Sequence, residues 1–349
     1  MKECRFWSRA CLGVLVAGLL ALAGRANAAD PVAEFYSGKT IQVIIGYSVG
    51  GGYDIYTRTL SRFMGKHIPG NPTMVPQNMP GAGSLRAANY LAKAAPKDGT
   101  FIGIFARGMA MEPLLGHTEG IMFDATQFNW IGSVNEEVSL CITGAKSGFK
   151  TIEDLRARPS TFAGNGPGSD PDVMANLLIN VLKAPIKLVS GFPGSNDAIL
   201  SVQRGETQGF CGASWSELKS RHRQLLDDKE IDLPIQMALH KHEDLPNVPL
   251  LMDLTDNPLE KAALKLILTR QSMARPFVAP PGVPPERVAA LRKAFDETMK
   301  DPEFLAEAKQ LELEVRPVSG EQVQQLVKEL YAAPPDVVKL ASESVMGKN

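Results

Sequence analysis

The turn from Gly46 to Gly50 contains the residue types of a nucleophilic serine site. It matches the pattern G-x-S-x-G and lies between an apolar run and the start of a helical pattern, where one class of hydrolases places its serine. One hypothesis is therefore a serine hydrolase that uses Ser48. Against it, the apolar run Thr40–Ile45 is the first predicted strand, so no earlier strand supplies a second oxyanion donor. No pair of an acid and a histidine stands out as its partners.

The same turn continues through Gly50, Gly51 and Gly52 into the helix. Glycines at that position expose backbone N–H groups at the positive end of a helix, which is the chemistry of an anion pocket. Gly164–Ser169 repeats the arrangement after a later strand and is a poor match to a dinucleotide fingerprint. Gly191–Ser195 is a third such turn, or else an ordinary connection between a strand and a helix. Together the turns predict a site for a carboxylate or a similar anion.

Strands alternate with helices through the first two thirds of the chain. Short β-branched runs indicate strands, and apolar residues at i, i+4 and i+7 indicate helices, so the alternation predicts βαβ units and a mostly parallel sheet. The glycine turns then lie at the carboxyl ends of strands, where open α/β sheets bind ligands. Asp54 is predicted to be the N-cap of the first helix. Strands are predicted at 40–45, 73–76, 100–105, 129–134, 139–143, 161–164, 186–190 and 208–212, and helices are predicted to begin at Asp54, Leu85, Thr151, Pro171, Asn196 and Glu217.

The last third of the chain is mainly helical after a loop-rich region. Since no long low-complexity linker interrupts the chain, short crossovers between two lobes are favoured over domains strung in series. We predict a discontinuous first lobe, 29–138 plus 240–349, with the helical tail packed on it. The second lobe is predicted at 139–239. The tail helices are predicted at 283–300, 302–311, 320–331 and 335–344.

Residues 1–28 have the layout of a cleavable export signal. A basic start and an apolar run from Ala10 to Gly24 precede the small residues Ala26, Asn27 and Ala28, which form an A-x-A cleavage site. The alternative is a membrane anchor, which needs about 20 apolar residues and so more than this run contains. We therefore expect cleavage near Ala28 and a periplasmic location.

The net charge of the chain limits the classes of molecule that it is expected to bind. The chain has 37 basic and 38 acidic residues, and removing a leader with four basic residues and one acidic residue leaves a net charge of −4. A mildly acidic chain without a basic stripe argues against binding to nucleic acid or anionic membranes.

Cys141 and Cys211 either form one disulfide or are buried as small apolar side chains. The histidines do not cluster with them at ligand spacing, so we expect no metal and no cofactor, and 240–242 is expected to be a solvated loop.

Six segments, in order along the chain, resemble those of the Bug family. These proteins are the TctC-like extracytoplasmic solute receptors of tripartite tricarboxylate transporters. No single segment is specific, but the ordered set spans nearly the whole chain after the leader. The segments resemble the family's strand with a P-G-G-like turn, its N-R-P-G-A-G-G, P-D-G-Y, Y-G-S-x-G-x-G-S, G-E-V-D and A-P-A-G-T-P patterns, and they are Val43–Asp54, Met79–Ser84, Ala94–Thr100, Phe162–Ser169, Gly205–Gln208 and Ala279–Pro284.

The resemblance implies a type II periplasmic-binding-protein fold. Two Rossmann-like lobes would be joined by a hinge near Val134–Ser139 and again near Leu239. The ligand would be a small organic acid, held between the lobes largely by backbone amides and delivered to the membrane permease subunits of the transporter. We expect a monomer without enzymatic activity. A ligand sensor that docks on a signalling partner is an alternative.

Three positions depart from the family pattern, and at one of them Asn78-Met79-Pro80 replaces the usual N-R-P. Arg107 either forks onto a ligand carboxylate or packs on a surface or between lobes. Trp215 either stacks on a ring-bearing ligand or packs in the core. The candidate ligand-binding residues are Ser48, Val49, Gly50, Gly51, Tyr53, Asp54, Arg107, Gly108, Gly166, Gly168, Ser169, Gly191, Pro193, Ser214 and Trp215.

Overall fold

Two β-sheets organise the part of the chain that this computed structural model describes, residues 30–116 and 119–346. The predicted export signal, residues 1–28, and His117 lie outside these described residues. None of the helices within them combines the length and apolar composition that a membrane span requires. The predicted α/β architecture is confirmed, and each sheet forms the centre of one lobe.

Each sheet has parallel strands on one side and antiparallel pairs on the other. The strands are β1 (Thr40–Ile45), β2 (Thr73–Asn78), β3 (Phe101–Ile104), β4 (Asn129–Ser133), β5 (Ser139–Gly144), β6 (Ser160–Ala163), β7 (Ile186–Val189), β8 (Gly209–Ser214), β9 (Ile231–Met237), β10 (Pro276–Ala279) and β11 (Val318–Ser319). The first sheet has the order β11-β4-β10-β3-β1-β2, and the second has the order β7-β6-β8-β5-β9. As predicted, β1 is parallel to β2 and β3, and β6 is parallel to β7 and β8. The strands next to the crossovers between the lobes are antiparallel to both of their neighbours. β5 is antiparallel to β8 and β9, and β10 is antiparallel to β3 and β4.

Two edge strands contain a proline. The sequence predicts a strand that stops at Pro76 and no strand at 231–237, yet β2 continues to Asn78 and β9 contains Pro234. Proline removes one hydrogen-bond donor from a sheet and is therefore tolerated at an edge. Both strands are the last in their sheets, which explains why they accept it.

Thirteen α-helices lie in the described residues: α1 (Pro31–Tyr36), α2 (Gly52–Met64), α3 (Leu85–Lys93), α4 (Ile152–Ala157), α5 (Asp170–Asn180), α6 (Ser195–Gln203), α7 (Trp215–Arg221), α8 (Arg223–Asp227), α9 (Pro258–Leu268), α10 (Pro285–Thr298), α11 (Pro302–Gln310), α12 (Gly320–Tyr331) and α13 (Pro335–Val345). The capping box predicted at Thr151 is present in α4. The prediction of Asp54 as an N-cap is wrong, because α2 begins at Gly52 with Gly51 as its cap. Asp54 lies in the first turn instead, and its carboxylate accepts the N–H of Gly50.

The C-terminal tail contacts both lobes. α12 packs on β4 and α11 on α2, in the first lobe as predicted. α13 departs from that prediction, because it packs on α9 and on α5 of the second lobe. There the side-chain amide of Asn176 donates to the backbone oxygen of Val345 at 2.8 Å. Ala341 and Val345 of α13 are fully buried by these neighbours, and its other apolar residues are partly buried.

Cys141 and Cys211 form a disulfide, which resolves the two alternatives left open by the sequence. The bond joins the neighbouring strands β5 and β8 and closes a loop with a sequence separation of 70 residues. In the chain-entropy account, a loop of this length restricts the unfolded chain and stabilises the fold by about 4 kcal/mol. The centre of the second sheet is thereby covalently fixed.

Candidate functional site

Glycine turns from the two sheets meet between the lobes. The N–H of Ser48 donates to the backbone oxygen of Pro193 at 3.2 Å, and the N–H of Gly83 donates to that of Asn165 at 3.2 Å. Gly166 has a φ of +129°, and a Cβ there would lie 2.8 Å from the backbone nitrogen of Gly83. Only glycine permits this close approach of the two lobes.

The lobes enclose a cavity of about 30 Å³ in this closed arrangement. A second cavity of about 410 Å³ lies at the mouth, between the turns at 80–84 and 165–167. We take the first cavity, the inner cavity, as the candidate ligand site because charged and polar residues of both lobes line it. The second cavity, the outer cavity, adjoins it and shares Tyr47 and Asn165 with it. The polar and aromatic residues that line the inner cavity include Tyr47, Tyr53, Arg107, Asn165, Asp170, Ser195, Ser214 and Glu217.

Arg107 spans the cleft. It follows β3 in the first lobe and is only 2% exposed. Its Nε donates to a carboxylate oxygen of Asp170, and its Nη2 donates to the hydroxyl of Ser139 at 2.7 Å. Burial alone would raise the pKa of Asp170, but the charges of Arg107 and Arg270 hold it below its usual range. Arg107 of the first lobe thus forms an ion pair with an ionised carboxylate of the second lobe.

Two further buried arginines support the cleft. Arg270 Nη1 lies 3.5 Å from Oδ1 of Asp170. Arg275 Nη2 donates to the hydroxyl of Ser214 at 3.0 Å, and its guanidinium lies 4.8 Å from the centre of the Tyr53 ring. Both follow α9 in a stretch without a glycine turn or a recognisable motif. They are therefore absent from the predicted site residues, and no local signal distinguishes them from surface arginines.

The amides of the glycine turns are bound by the protein's own carboxylates. The N–H of Gly52 donates to Glu217 at 2.9 Å, and the N–H of Gly166 donates to Asp172 at 2.9 Å. A buried donor without a partner costs about 1–3 kcal/mol, which these carboxylates avoid. The sequence predicts free amides for a ligand anion, so the structure differs at these positions. Glu217 and Asp172 were not among the predicted site residues.

Ser48 has a carboxylate as its partner. Its hydroxyl donates to Asp197 Oδ2 of the second lobe at 2.7 Å. Among the described residues this partner is not an imidazole, so the serine–histidine pair that a hydrolase uses is not formed. The hydrolase hypothesis is therefore wrong, and Ser48 serves as a contact between the lobes.

The remaining predicted residues lie at different depths. Tyr53, Gly51 and Ser214 line the inner cavity, while Gly191 and Pro193 line the outer one. The N–H of Arg107 donates to the Tyr53 hydroxyl at 3.0 Å. Below the cavity, Ser169 caps α5, and Gly108 and Gly168 allow close packing against Arg270 and Glu112. The side chain of Val49 is 64% exposed at the tip of its turn.

Trp215 lies outside the inner cavity. Its ring N–H donates to Asp244 at 2.9 Å beside the hinge, and only 8% of the residue is exposed. Trp215 therefore packs against the protein and is not placed to stack on a ligand in the inner cavity. The residue His242 is partly exposed there, and its side chain is 8% exposed, so within the loop expected to be solvated at 240–242 this side chain turns inward.

His242, Asp244 and Glu314 are the described residues that come close enough together to hold a metal ion. The ammonium of Lys219 lies 2.9 Å from Asp244 and 2.6 Å from Glu314. Lys219 therefore already supplies the positive charge that these two carboxylates require. The group joins the lobes beside the hinge and lies apart from the cavity.

The chain has relatives among known proteins both in sequence and in fold. No protein-family model matches the chain. The "UPF0065 protein in gbd 5'region" of Cupriavidus necator is 22% identical, and the match covers 94% of each chain. "Protein BugT" of Bordetella pertussis is 27% identical over 52% of this chain and 56% of its own length.

Solved structures share the fold across most of the chain. The periplasmic binding protein BugD has a TM-score of 0.71 at 20% identity, covering 88% of this chain and 98% of its own. MatC from Rhodopseudomonas palustris, solved with bound malate, has a TM-score of 0.69 at 19% identity, covering 86% and 99%. An R. palustris protein solved with adipate has a TM-score of 0.68 at 19% identity, covering 87% and 97%. The sequence relatives and the shared fold together support the resemblance to the Bug family found in the sequence.

Proposed function

We propose that this protein is a periplasmic receptor that captures a small organic acid between its lobes and delivers it to the permease of a tripartite tricarboxylate-type transporter. The observation that carries the proposal is the buried Arg107, which reaches from one lobe into the other beside the cavity. A guanidinium in such a place is suited to a carboxylate, because its fork of N–H donors matches the two oxygens. Structural neighbours solved with malate and adipate support an acid as the ligand.

Binding requires the lobes to open. The inner cavity of about 30 Å³ has space for about one water molecule, which is less than any organic acid needs. The contacts that close it join residues of different lobes, including Ser48 with Asp197 and Gly83 with Asn165. We infer a cycle in which the lobes part, the acid enters beside Arg107, and closure removes it from water.

The binding step is tested by calorimetry on the purified protein. A panel of mono-, di- and tricarboxylates and small aromatic acids is expected to contain at least one ligand that also raises the melting temperature, since a ligand stabilises only the folded state. Arg107→Gln is expected to weaken that ligand about tenfold or more, because a charge-assisted hydrogen bond is lost. Arg204→Gln, at a side chain that is 62% exposed, is the matched control. A panel without any ligand at millimolar concentration would overturn the proposal.

The delivery step is tested by uptake in cells. Deleting the gene is expected to abolish high-affinity uptake of the labelled ligand. The wild-type gene should restore uptake, while the Arg107→Gln gene should not. Uptake that is unchanged in the deletion strain would contradict a transport role, and the protein would then act by binding alone.

A further inference from the structure

The ionisable groups around the inner cavity do not balance. Arg107 and Arg270 face Asp170 and Glu112, and Arg275 lies 3.5 Å from Glu137. Each of these six residues is at most 5% exposed. Three cations and three carboxylates therefore offset one another. Glu217 adds a fourth carboxylate, which is 3% exposed and has no ion-pair partner among the described residues.

Only one of the two carboxylate oxygens of Glu217 accepts hydrogen bonds from the described residues. Oε1 accepts hydrogen bonds from the N–H of Gly52 and from the hydroxyl of Ser195. No described residue donates a hydrogen bond to Oε2. Arg275 Nη2 approaches the same face of Gly52 as Glu217 Oε2 but forms its ion pair with Glu137, and Arg221 beside Gly50 is exposed. A buried carboxylate that lines a cavity and forms no ion pair of its own favours a ligand that brings a positive charge or an N–H donor.

Two other atoms of the cavity walls lack partners. Arg107 Nη1 and Asp170 Oδ1 are both buried, and neither has a hydrogen-bond partner among the described residues. Their side chains line the same cavity as Glu217. The cavity thus combines one cationic donor with two anionic acceptors. A guest that satisfies all three atoms needs both a hydrogen-bond acceptor and a hydrogen-bond donor.

We propose that the ligand of this cleft is a small zwitterion with one carboxylate and one ammonium group, rather than a di- or tricarboxylate. This inference rests on the proposed function, because it specifies the acid that the receptor captures. The ligand carboxylate binds Arg107, and its ammonium binds Glu217 beside Asp170. A second carboxylate in the position of the ammonium would face two buried carboxylates, and like charges in a site of low dielectric repel each other strongly.

The test uses two series of ligands that differ at one group. Propionate, β-alanine and succinate carry hydrogen, ammonium and carboxylate at the same carbon, and butyrate, 4-aminobutyrate and glutarate repeat the comparison with one more carbon. Calorimetry measures each affinity for the wild-type protein, for Glu217→Gln, and for Glu206→Gln as a control at a side chain that is 58% exposed. Glutamine keeps an oxygen for Gly52 and Ser195, so the turn is retained. Melting temperatures verify that each variant folds.

In at least one series, the ammonium ligand is expected to bind the wild-type protein about tenfold or more tightly than the dicarboxylate. Glu217→Gln is expected to reduce this ratio about tenfold, and Glu206→Gln is expected to leave it unchanged. Equal or tighter binding of the dicarboxylates, or a ratio that Glu217→Gln does not change, would overturn the inference while the receptor function stands. Absence of binding by both series and by the wider panel of acids would overturn the receptor function itself.

Discussion

Two clusters of charged side chains join the lobes, and they differ in their access to water. The cleft cluster consists of Arg107, Asp170, Arg270 and Glu112, and the side chains of all four are at most 7% exposed. The hinge cluster consists of Lys219, His242, Asp244 and Glu314, where the side chain of Asp244 is 44% exposed and that of Lys219 is 20% exposed. The residue types are similar, but only in the cleft cluster are all the side chains withdrawn from solvent.

This difference predicts two different roles. In the hinge cluster, Lys219 donates to both Asp244 and Glu314, and solvent screens what remains of the charges. In the cleft cluster, Arg107 Nη1, Asp170 Oδ1 and both Nη atoms of Arg270 are buried without hydrogen-bond partners among the described residues. A protein tolerates such atoms where function requires them. We therefore expect the hinge cluster to position the lobes and the cleft cluster to recognise the ligand.

The largest effect is expected from removing the shared carboxylate of the cleft cluster. Asp170→Asn leaves Arg107 and Arg270 buried without their common counter-ion, and breaking a buried pair on one side costs about 3–5 kcal/mol. The free energy of unfolding, measured in urea with the disulfide intact, gives the loss. Asp227→Asn, at a side chain that is 62% exposed, is the control and is expected to change little. A loss below about 1 kcal/mol for Asp170→Asn would show that the cleft cluster is no more costly to break than a surface pair.

Much of the fold follows from local signals in the sequence. β1 and β3, with their β-branched runs, and α4, with its capping box, form where they are predicted. The errors arise where tertiary position overrides the local pattern. Pro234 argues against a strand unless that strand is known to be at an edge. The path of α13 onto the second lobe depends on which apolar surface remains uncovered, and the sequence of the helix does not specify that.

The candidate site was only partly predictable, because its main charges come from distant segments. The glycine turns were visible, since glycine is needed wherever two backbones meet, as at Gly166 and Gly83. Glu217 and Arg275 lie far from those turns in sequence and have no glycine or motif beside them. Only the folded chain places Glu217 2.9 Å from the N–H of Gly52. The fold therefore turns a predicted anion pocket into a cavity with mixed charge.

A smaller effect is expected when the two clusters are titrated with acid. The pKa of Asp170 is lowered mainly by Arg107, against the effect of burial, and that of Asp244 is lowered by hydrogen bonds from Trp215 and Lys219. A carboxylate whose pKa is depressed by folding stabilises the protein above its unfolded pKa of about 3.9, and this contribution is lost as the pH falls below that value. The difference in unfolding free energy between wild type and Asp170→Asn should be constant from about pH 5 to 7 and shrink below about pH 4. For Asp244→Asn the same decrease should be smaller, because water screens its charge. Equal decreases would contradict the contrast between the clusters.

The smallest effect is expected from Lys219→Met in the hinge cluster. The variant loses the two hydrogen bonds to Asp244 and Glu314 but keeps the long side chain that packs near Trp215. Because both carboxylates can still reach water, we expect a loss of about 1 kcal/mol or less, which decreases further in about 1 M salt. Ligand affinity should not change, since Lys219 does not line the inner cavity. A loss as large as that of Asp170→Asn, and insensitive to salt, would mean that the hinge cluster behaves as a buried one. The assignment of recognition to the cleft cluster would then have to stand on the binding measurements alone.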